Sequence, residues 1–448
     1  MINKNLAFTT LLIGASLLFF SVFTSCSSAR VEEMDNIATF HKYTSGKAAN
    51  ILATDAEGKG GAVVDLYIDY SDCMTTASQS GYYHSVQPAI IACNPNYYSI
   101  KGNAITLETN DKMKVHQLLN TITNVDYSDI KGAVDSIIAN KHEAILITDG
   151  EFYQKGIGAS LNNPYLADEF KEWLSMGLDI YVYSEPYQSG TFIKNRYYMI
   201  FTDHRIDNNI HDIFSRVAPK QSDVSMVHLY SGIPSVEVAE TGVVFNELLM
   251  PDETNGIYPA LSCEWHKLDE KWENAYDYIL NAQDDNGNPI KGGDFYLKGI
   301  KLNVTDADAY KPSEIEVKCY EVSSLYNSFD PKAKKQIQLP ASLSNMFVID
   351  EEAWKKGEIA LKLSPKFDGS NLVGEEGNLL RLDICVKKSK ENFSSNSQIG
   401  SKFQFDSPYG YNTSVYESLK QTLLDPAISP ENSGNPVIYS IYLSTFAN

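Results

Sequence analysis

Short apolar runs alternate with helically spaced apolar residues along the first half of the chain. A short, near-continuous apolar run is typical of a strand buried on both faces, whereas apolar residues three and four positions apart form one face of a helix. The predicted elements are a strand at 62–68, helices at 115–123 and 130–139, a strand at 144–148, a helix at 166–176, strands at 178–183 and 197–202, and a helix at 209–217. Because strands alternate with helices, we predict an α/β domain with a doubly wound, Rossmann-like sheet over residues 61–222.

The second half of the chain, residues 223–448, has a different pattern of short alternating or aromatic runs. Such runs occur at 257–265, 276–282, 295–304, 314–322, 358–363, 379–386 and 437–442. Turn-forming residues such as Asn286 and Gly287 separate them, and the Ser- and Asn-rich residues 389–401 predict a long solvated loop. We therefore predict a β-rich, sandwich-like region of one or two subdomains.

The N-terminus has the pattern of an export signal. Lys4 precedes a charge-free apolar run at 6–23, and the tripeptide Thr-Ser-Cys that ends with Cys26 follows directly, which resembles a bacterial lipobox. The resemblance implies that residues 1–25 are a signal peptide, that Cys26 is lipidated and that the polar residues 26–60 form a tether. It also implies a cell-envelope location, at the outer rather than the inner membrane. An uncleaved membrane anchor is the alternative for the same run.

Composition and charge exclude several classes of protein. A chain of 448 residues is too long for one ordinary core, and its 43% hydrophobic content excludes a mostly disordered chain. The net charge of −20 excludes a nucleic-acid partner, because such binding needs a basic surface. The six cysteines include no Cys-x-x-Cys, which excludes zinc ribbons and thioredoxin-like sites. A disulfide between Cys319 and Cys385 and burial of both as free thiols stay open as alternatives.

Acidic and hydroxyl side chains follow two of the predicted strands. Asp69 and Ser71 follow the first strand, and Asp149 follows the strand at 144–148. Because ligands of open α/β sheets bind beyond the carboxyl ends of the strands, we expect these three side chains to converge. Their oxygens suit Mg²⁺ or Mn²⁺. The simpler alternative is that the two carboxylates only cap turns or helix N-termini.

The α/β segment, a little over a third of the chain, resembles a von Willebrand factor type A domain. The adhesion site of that family begins with Asp-x-Ser-x-Ser, and Asp69, Ser71 and Cys73 stand at these three positions. The resemblance implies that Ser128 replaces the threonine of the second loop and that Asp149 is the carboxylate of the third. These five residues are the implied metal ligands. Because a neutral thiol is a weak ligand for Mg²⁺, Cys73 predicts weakened or absent metal binding.

These features predict a non-catalytic cell-envelope lipoprotein that binds a protein or another extracellular macromolecule, with Mg²⁺ or Mn²⁺ as its candidate cofactor. The sequence contains no His-x-x-x-His or Gly-x-Ser-x-Gly motif. Among the aromatic clusters, the loop at 407–412 is the best candidate for a recognition surface.

Two alternatives stay open. One is an envelope hydrolase with its active site in the β-rich half, where Glu264, Asp269, Glu270 and Asp294 are candidate carboxylates for glycan or phosphoester cleavage. The other is a structural surface subunit with a non-functional metal site.

Overall fold

The computed structural model describes residues 37, 39–41, 43–44, 52, 63–121, 125–154, 158–203, 206, 208–230, 236–245, 277–281, 296–304, 309–333, 337–344, 346–368, 378–428 and 437–446. They form a mixed α/β structure with a seven-stranded mixed sheet and smaller, mostly antiparallel sheets. The predicted signal peptide, Cys26 and the predicted strand at 257–265 lie outside these residues. No helix among the described residues is long and apolar enough to span a membrane.

The seven-stranded sheet is the centre of the first half of the chain. The strands of this half are β1 (Val64–Asp69), β2 (Asn96–Lys101), β3 (Ala104–Thr109), β4 (Glu143–Thr148), β5 (Phe152–Gln154), β6 (Gly158–Ser160), β7 (Asp179–Ser189), β8 (Phe192–Thr202) and β9 (Ser225–Tyr230). β5 and β6 form a separate hairpin, and the others lie in the order β3-β2-β1-β4-β8-β7-β9.

The direction of the strands corrects the predicted doubly wound sheet. β2, β1 and β4 are parallel, as that prediction requires. β3 is antiparallel to β2, and β8, β7 and β9 continue the sheet beyond β4 in antiparallel pairs. The physical reason lies at Gly190, whose φ of 59° forms the tight turn between β7 and β8. A turn this short makes a hairpin, because parallel neighbours need a crossover of about a dozen residues or more.

Helices cover both faces of the sheet. They are α1 (Asp72–Ala77), α2 (Gly81–Ala92), α3 (Lys112–Leu119), α4 (Ile130–Asn140), α5 (Ala167–Ser175) and α6 (Ile210–Val217). The helices α1, α2, α3 and α6 share a buried apolar cluster with Ile68 and Ile147, whereas α4 and α5 share another with Leu146 and Met199. Because successive strand side chains point to opposite faces, the central strands contribute to both cores.

Local chemistry explains the limits of α4. Ile130 and Ile137 lie on its buried face, and the Asp129 carboxylate accepts a hydrogen bond from the Gly132 amide at 3.1 Å, which caps the N-terminus. The helix ends at Lys141, which is left-handed with a φ of 54°. These limits agree with the helix predicted at 130–139.

The second half of the chain contains two four-stranded sheets that share a core. Its strands are β10 (Val236–Phe245), β11 (Asp277–Asn281), β12 (Tyr296–Val304), β13 (Tyr310–Glu321), β14 (Phe347–Ile349), β15 (Glu358–Leu363), β16 (Asn378–Glu391), β17 (Phe405–Ser407), β18 (Gly410–Asn412) and β19 (Val437–Phe446). One sheet has the order β10-β12-β15-β14 and the other β11-β19-β16-β13, while β17 and β18 form a hairpin. Ile300 and Leu361 of the first sheet pack in one cluster with Leu382 and Ile441 of the second, which is a sandwich-like arrangement.

The C-terminal half also contributes to the core of the first half. Its helices are α7 (Ser323–Asn327), α8 (Glu351–Trp354), α9 (Ser397–Gly400) and α10 (Ser414–Leu424). Phe393, Phe403 and Leu419 belong to the same buried cluster as α4 and α5. Side chains from both sides of the predicted boundary at residue 222 therefore pack in one core. The predicted solvated loop at 389–401 is also corrected, because Phe393 anchors it and is fully buried.

Part of the N-terminal segment packs on the second half of the chain. Ile37 and Phe40 are buried in a cluster with Tyr442 of β19, and the guanidinium of Arg381 donates to Thr44 Oγ1 at 2.6 Å. Part of the segment predicted to be a polar tether is thus packed on the sandwich. Its average composition conceals the two large apolar side chains that anchor it.

The described cysteines are all free thiols. Cys93, Cys319 and Cys385 are buried, and Cys73 is half-buried. Cys319 lies opposite Leu382 and Cys385 lies opposite Glu316 in the β13–β16 pair, so the two thiols that the sequence left as candidate partners are not paired.

Candidate functional site

The carboxyl ends of β1 and β4 meet at one edge of the sheet. Ile68 is in register with Ile147, which places Asp69 beside Thr148. The Thr148 hydroxyl donates to Asp69 Oδ2 at 2.8 Å, and the Ser71 amide donates to Asp69 Oδ1 at 2.8 Å. Asp69 therefore joins two strand ends that are distant in sequence, and both of its oxygens already accept hydrogen bonds.

Asp149 is the least satisfied acidic group at this edge. Its side chain is fully buried; Oδ1 accepts from the Glu151 amide at 3.0 Å, but Oδ2 has no hydrogen-bond partner among the described residues. The Ser71 hydroxyl has none there either. Burial, followed by the charges of Asp69 and Glu151, raises the pKa of Asp149 well above its usual value. A lone buried oxygen of this kind favours a proton or a cation nearby.

Cys73, in the first turn of α1, lies beside the same acids. Its thiol donates to Glu151 Oε2 at 3.1 Å, and single ligand atoms of Cys73, Asp149 and Glu151 all lie within 4.8 Å of one another. Burial, followed by the charges of Asp149 and Glu151, raises the pKa of the Cys73 thiol. The thiol is therefore neutral at ordinary pH and acts as a hydrogen-bond donor.

The hydroxyl of Ser128 is engaged elsewhere. It donates to the Ile100 carbonyl at 2.8 Å and accepts from the Tyr70 amide at 3.2 Å. These bonds tie the loop before α4 to the ends of β1 and β2. Asp69, Ser71, Cys73 and Asp149 are thus brought to one edge, whereas Ser128 supports that edge through the backbone.

A long hairpin extends past the end of β4. The last residue of β4, Thr148, pairs with Tyr197 of β8, so the hairpin arm formed by residues 185–196 of β7 and β8 projects beyond it. On this arm Tyr187 lies opposite Lys194. The Lys194 ammonium is 2.5 Å from Glu151 Oε1 and 3.8 Å from the Cys73 sulfur.

Both arm residues are almost inaccessible to solvent. Lys194 is 4% exposed and Tyr187 is 5% exposed. Burial alone would lower the pKa of Lys194, but the hydrogen bond and charge of Glu151 outweigh it and the pKa is raised. The Tyr187 hydroxyl has no hydrogen-bond partner among the described residues, and burial, followed by the charge of Asp149, raises its pKa. The cluster of Asp69, Asp149, Glu151, Cys73 and Lys194, called the strand-end cluster below, is thus capped by this arm.

A second buried ion pair lies on the same arm. The Arg196 guanidinium donates to Glu185 Oε2 at 2.5 and 3.0 Å and also to the Ala77 carbonyl and the Ser80 hydroxyl. It lies 4.5 Å from the centre of the Tyr83 ring. This pair is saturated with hydrogen bonds and fixes the arm against α1 and α2.

The C-terminal half covers the remaining side of the cluster. The Asn412 side chain donates to the Gly150 carbonyl at 3.2 Å. Gly150 has a φ of 70°, and a Cβ there would lie 2.5 Å from the Tyr197 ring and 2.9 Å from a methyl group of Val415. Such close packing leaves Asp69 only 1% exposed and Asp149 fully buried, while Cys73 and Glu151 keep partial exposure.

The donor set fits a divalent cation poorly. Both oxygens of Asp69 accept hydrogen bonds, Ser128 is committed to the backbone, and Cys73 offers a neutral thiol. Among the described residues at this edge, Asp149 Oδ2, Ser71 Oγ and the Tyr187 hydroxyl are buried oxygens without hydrogen-bond partners, whereas Glu151 Oε1 lies 2.5 Å from the Lys194 ammonium. Mg²⁺ usually takes six oxygen ligands at about 2.1 Å, and a lysine ammonium already lies within the cluster.

Comparisons with known proteins identify no relative. No protein-family model, curated protein or solved structure matches the chain.

Sequence reasoning missed three residues of the cluster and its cap. Glu151 was within reach, because it lies two positions after Asp149 at a strand end. Lys194 and Tyr187 gave no comparable signal, since only the register of the β7–β8 hairpin brings them to the acids.

Proposed function

We propose that this protein is a cell-envelope lipoprotein that binds a protein or another extracellular macromolecule without catalysis. Binding would occur through the domain that resembles a von Willebrand factor type A domain, called the A-like domain below. Support for the A-like interpretation comes from the order β3-β2-β1-β4, which is that of the first four strands of a Rossmann-like sheet, and from helices on both faces. Convergence of Asp69 and Asp149 at the strand ends supports it further. Two strands depart from a doubly wound sheet, because β3 is antiparallel to β2 and β8 is antiparallel to β4.

Exposed tyrosines at the same edge carry the proposal of binding. Tyr409 and Tyr411, on the β17–β18 hairpin, are 70% and 52% exposed, and Tyr153, which follows the end of β4, is 42% exposed. The hairpin is held at this edge by Asn412 and by Gly410, whose position adjoins Leu161. Aromatic side chains are enriched in protein interfaces, and rigid rings contribute contact area at little entropic cost. They would contact the partner directly, beside the largely buried cluster.

Binding to the cell envelope tests this proposal. The chain without its leader and with Cys26→Ser is titrated onto washed envelopes of the cells that express it, in EDTA and in Mg²⁺. We expect saturable binding that is equal in both buffers and that falls roughly tenfold or more in the double variant Tyr409→Ser and Tyr411→Ser. The matched control is Leu424→Ser, another exposed apolar side chain, on α10. Binding that does not saturate, or that ignores the tyrosines, would contradict the proposal.

A structural surface subunit is the second candidate, and the burial of Asp69 and Asp149 in the strand-end cluster favours it. In that case the tyrosines would contact neighbouring subunits, and crosslinking in whole cells would trap this chain in one constant assembly. The four acidic residues on which the hydrolase alternative depends lie outside the described residues, so that alternative stays a prediction.

The lipid anchor has its own test. Intact mass measurement of the protein from cells should show a mature chain that begins at Cys26 and carries acyl groups, and Cys26→Ser should release it from the membrane fraction.

A further inference from the structure

We propose that the Lys194 ammonium is a built-in cation of the strand-end cluster, in the role that the A-domain resemblance gives to a divalent metal ion. The edge would then need no metal to hold its acids together. This inference rests on the proposed function only where it compares the ammonium with the metal ion of an A-like domain.

Position is the first argument. Lys194 Nζ lies 2.5 Å from Glu151 Oε1 and 3.8 Å from the Cys73 sulfur, and the ligand atom of Asp149 lies within 4.8 Å of those of both residues. The ammonium therefore contacts Glu151 and Cys73, two of the three side chains whose ligand atoms lie close enough together to hold a metal ion.

Burial is the second argument. Asp149 is fully buried with an unpartnered Oδ2, and Tyr187, across the strand pair from Lys194, is 5% exposed with an unpartnered hydroxyl. Several acids in such a place repel one another strongly unless a positive charge is near. Lys194 supplies this charge from a strand that is itself fixed by the Arg196–Glu185 pair.

The substitution in the motif is the third argument. Cys73 replaces an oxygen ligand by a thiol, which donates a hydrogen bond to Glu151 rather than binding a hard cation. Glu151 in turn accepts from both Cys73 and Lys194, so the thiol and the ammonium act together on one carboxylate. The motif position thus holds a thiol that is a poor metal ligand, and an ammonium lies beside it.

Mn²⁺ titration tests the inference directly. Isothermal titration and thermal unfolding are measured for the wild type, Lys194→Arg, Lys194→Met, and the double variant Lys194→Met with Cys73→Ser. We expect no binding to the wild type or to Lys194→Arg up to millimolar Mn²⁺. The double variant should gain one Mn²⁺ site with a Kd at least roughly tenfold below that millimolar limit, and adding Asp149→Asn should abolish it.

Lys131→Met is the matched control, because Lys131 forms an ion pair with Glu169 on α5, away from the cluster. It should lose a positive charge without gaining a Mn²⁺ site. Submillimolar Mn²⁺ binding to the wild type that is lost in Asp149→Asn would overturn the inference, as would a folded double variant that binds nothing.

Folding of the variants decides the case if Lys194→Met does not fold. Rescue by Mn²⁺, or folding of Lys194→Arg alone, would support a required cation. A Lys194→Arg protein as unstable as Lys194→Met would overturn the inference. Because these titrations do not involve the macromolecular partner, their failure is separate from failure of the envelope-binding experiment.

Discussion

Two buried ion pairs have their cations, Lys194 and Arg196, two residues apart on the same hairpin arm. They differ in how many of the polar atoms around them have hydrogen-bond partners. The Arg196 guanidinium donates two hydrogen bonds to Glu185, and the Ser80 and Tyr198 hydroxyls also donate to the same carboxylate. Lys194 and Glu151 instead lie among groups that lack partners, such as Asp149 Oδ2. Saturated networks are typical of structural pairs, whereas unsatisfied buried groups mark positions retained for another reason.

Breaking the saturated pair should have the largest effect. Arg196→Met leaves the buried Glu185 carboxylate without its charge partner, and we expect a loss of about 3–5 kcal/mol in the free energy of unfolding. Urea unfolding followed by circular dichroism measures it. The double variant with Glu185→Gln should recover a large part of the loss, and a loss below about 1 kcal/mol in Arg196→Met would show that the pair is not structural.

Disturbing the close packing at Gly150, beside the strand-end cluster, should have the second largest effect on stability. Gly150→Ala forces a side chain onto a φ of 70° and against Tyr197 and Val415, so we expect a loss of about 2–4 kcal/mol. Gly190→Ala is the matched control. Its φ of 59° is similar but nothing lies within 4 Å of the added Cβ, so only about 1 kcal/mol should be lost. Equal losses in thermal unfolding would argue against tight packing at Gly150.

Acid should destabilise the protein through His211, a residue of α6 that belongs to neither ion pair. Burial, followed by the charge of His228, lowers the pKa of His211 to about 3 from its usual 6.5. The unfolded chain therefore binds a proton that the folded chain excludes, and stability falls as pH decreases from 6.5 towards 3, by up to about 1.4 kcal/mol per pH unit. Unfolding of His211→Gln across this range should show a shallower slope, and an unchanged slope would place the sensitivity elsewhere.

Removing a charge from the unsaturated cluster should have the smallest effect, with the opposite sign. Asp149→Asn removes repulsion with Asp69 and Glu151, so we expect unfolding in EDTA to show a gain of about 1 kcal/mol or no change. The equivalent change in the saturated pair, Glu185→Gln, should be clearly destabilising. Equal losses of unfolding free energy in Asp149→Asn and Glu185→Gln would show that the two ion pairs do not differ in their contribution to stability.

The sequence predicted the parts of the fold that depend on local pattern. The strands at 62–68 and 144–148 and the helix at 130–139 agree closely with β1, β4 and α4. Strand β3 was missed because most of its residues are exposed and it has no buried apolar run. Helix α2 was missed as well, because it includes four residues that weaken a helical pattern, namely Tyr82, Tyr83, His84 and Pro88.

The residues of the candidate site likewise fall into those that local pattern predicts and those that it does not. Asp69, Ser71, Cys73 and Asp149 follow directly from strand ends, so a pattern of residues was enough to place them together. Lys194 enters the cluster through hairpin register, and Asn412 reaches it from the other half of the chain. Contacts of this kind are set by tertiary packing, which no local pattern records.

The packing of Phe40 on the sandwich has a consequence for how the protein would sit on a bilayer. If Cys26 carries the lipid, only ten residues lie between it and Ile37, which is already buried against the sandwich. Fully extended, that stretch spans at most about 40 Å. The β-rich half would therefore stay close to the lipid headgroups, and any pulling force on the anchor would reach the sandwich before the seven-stranded sheet.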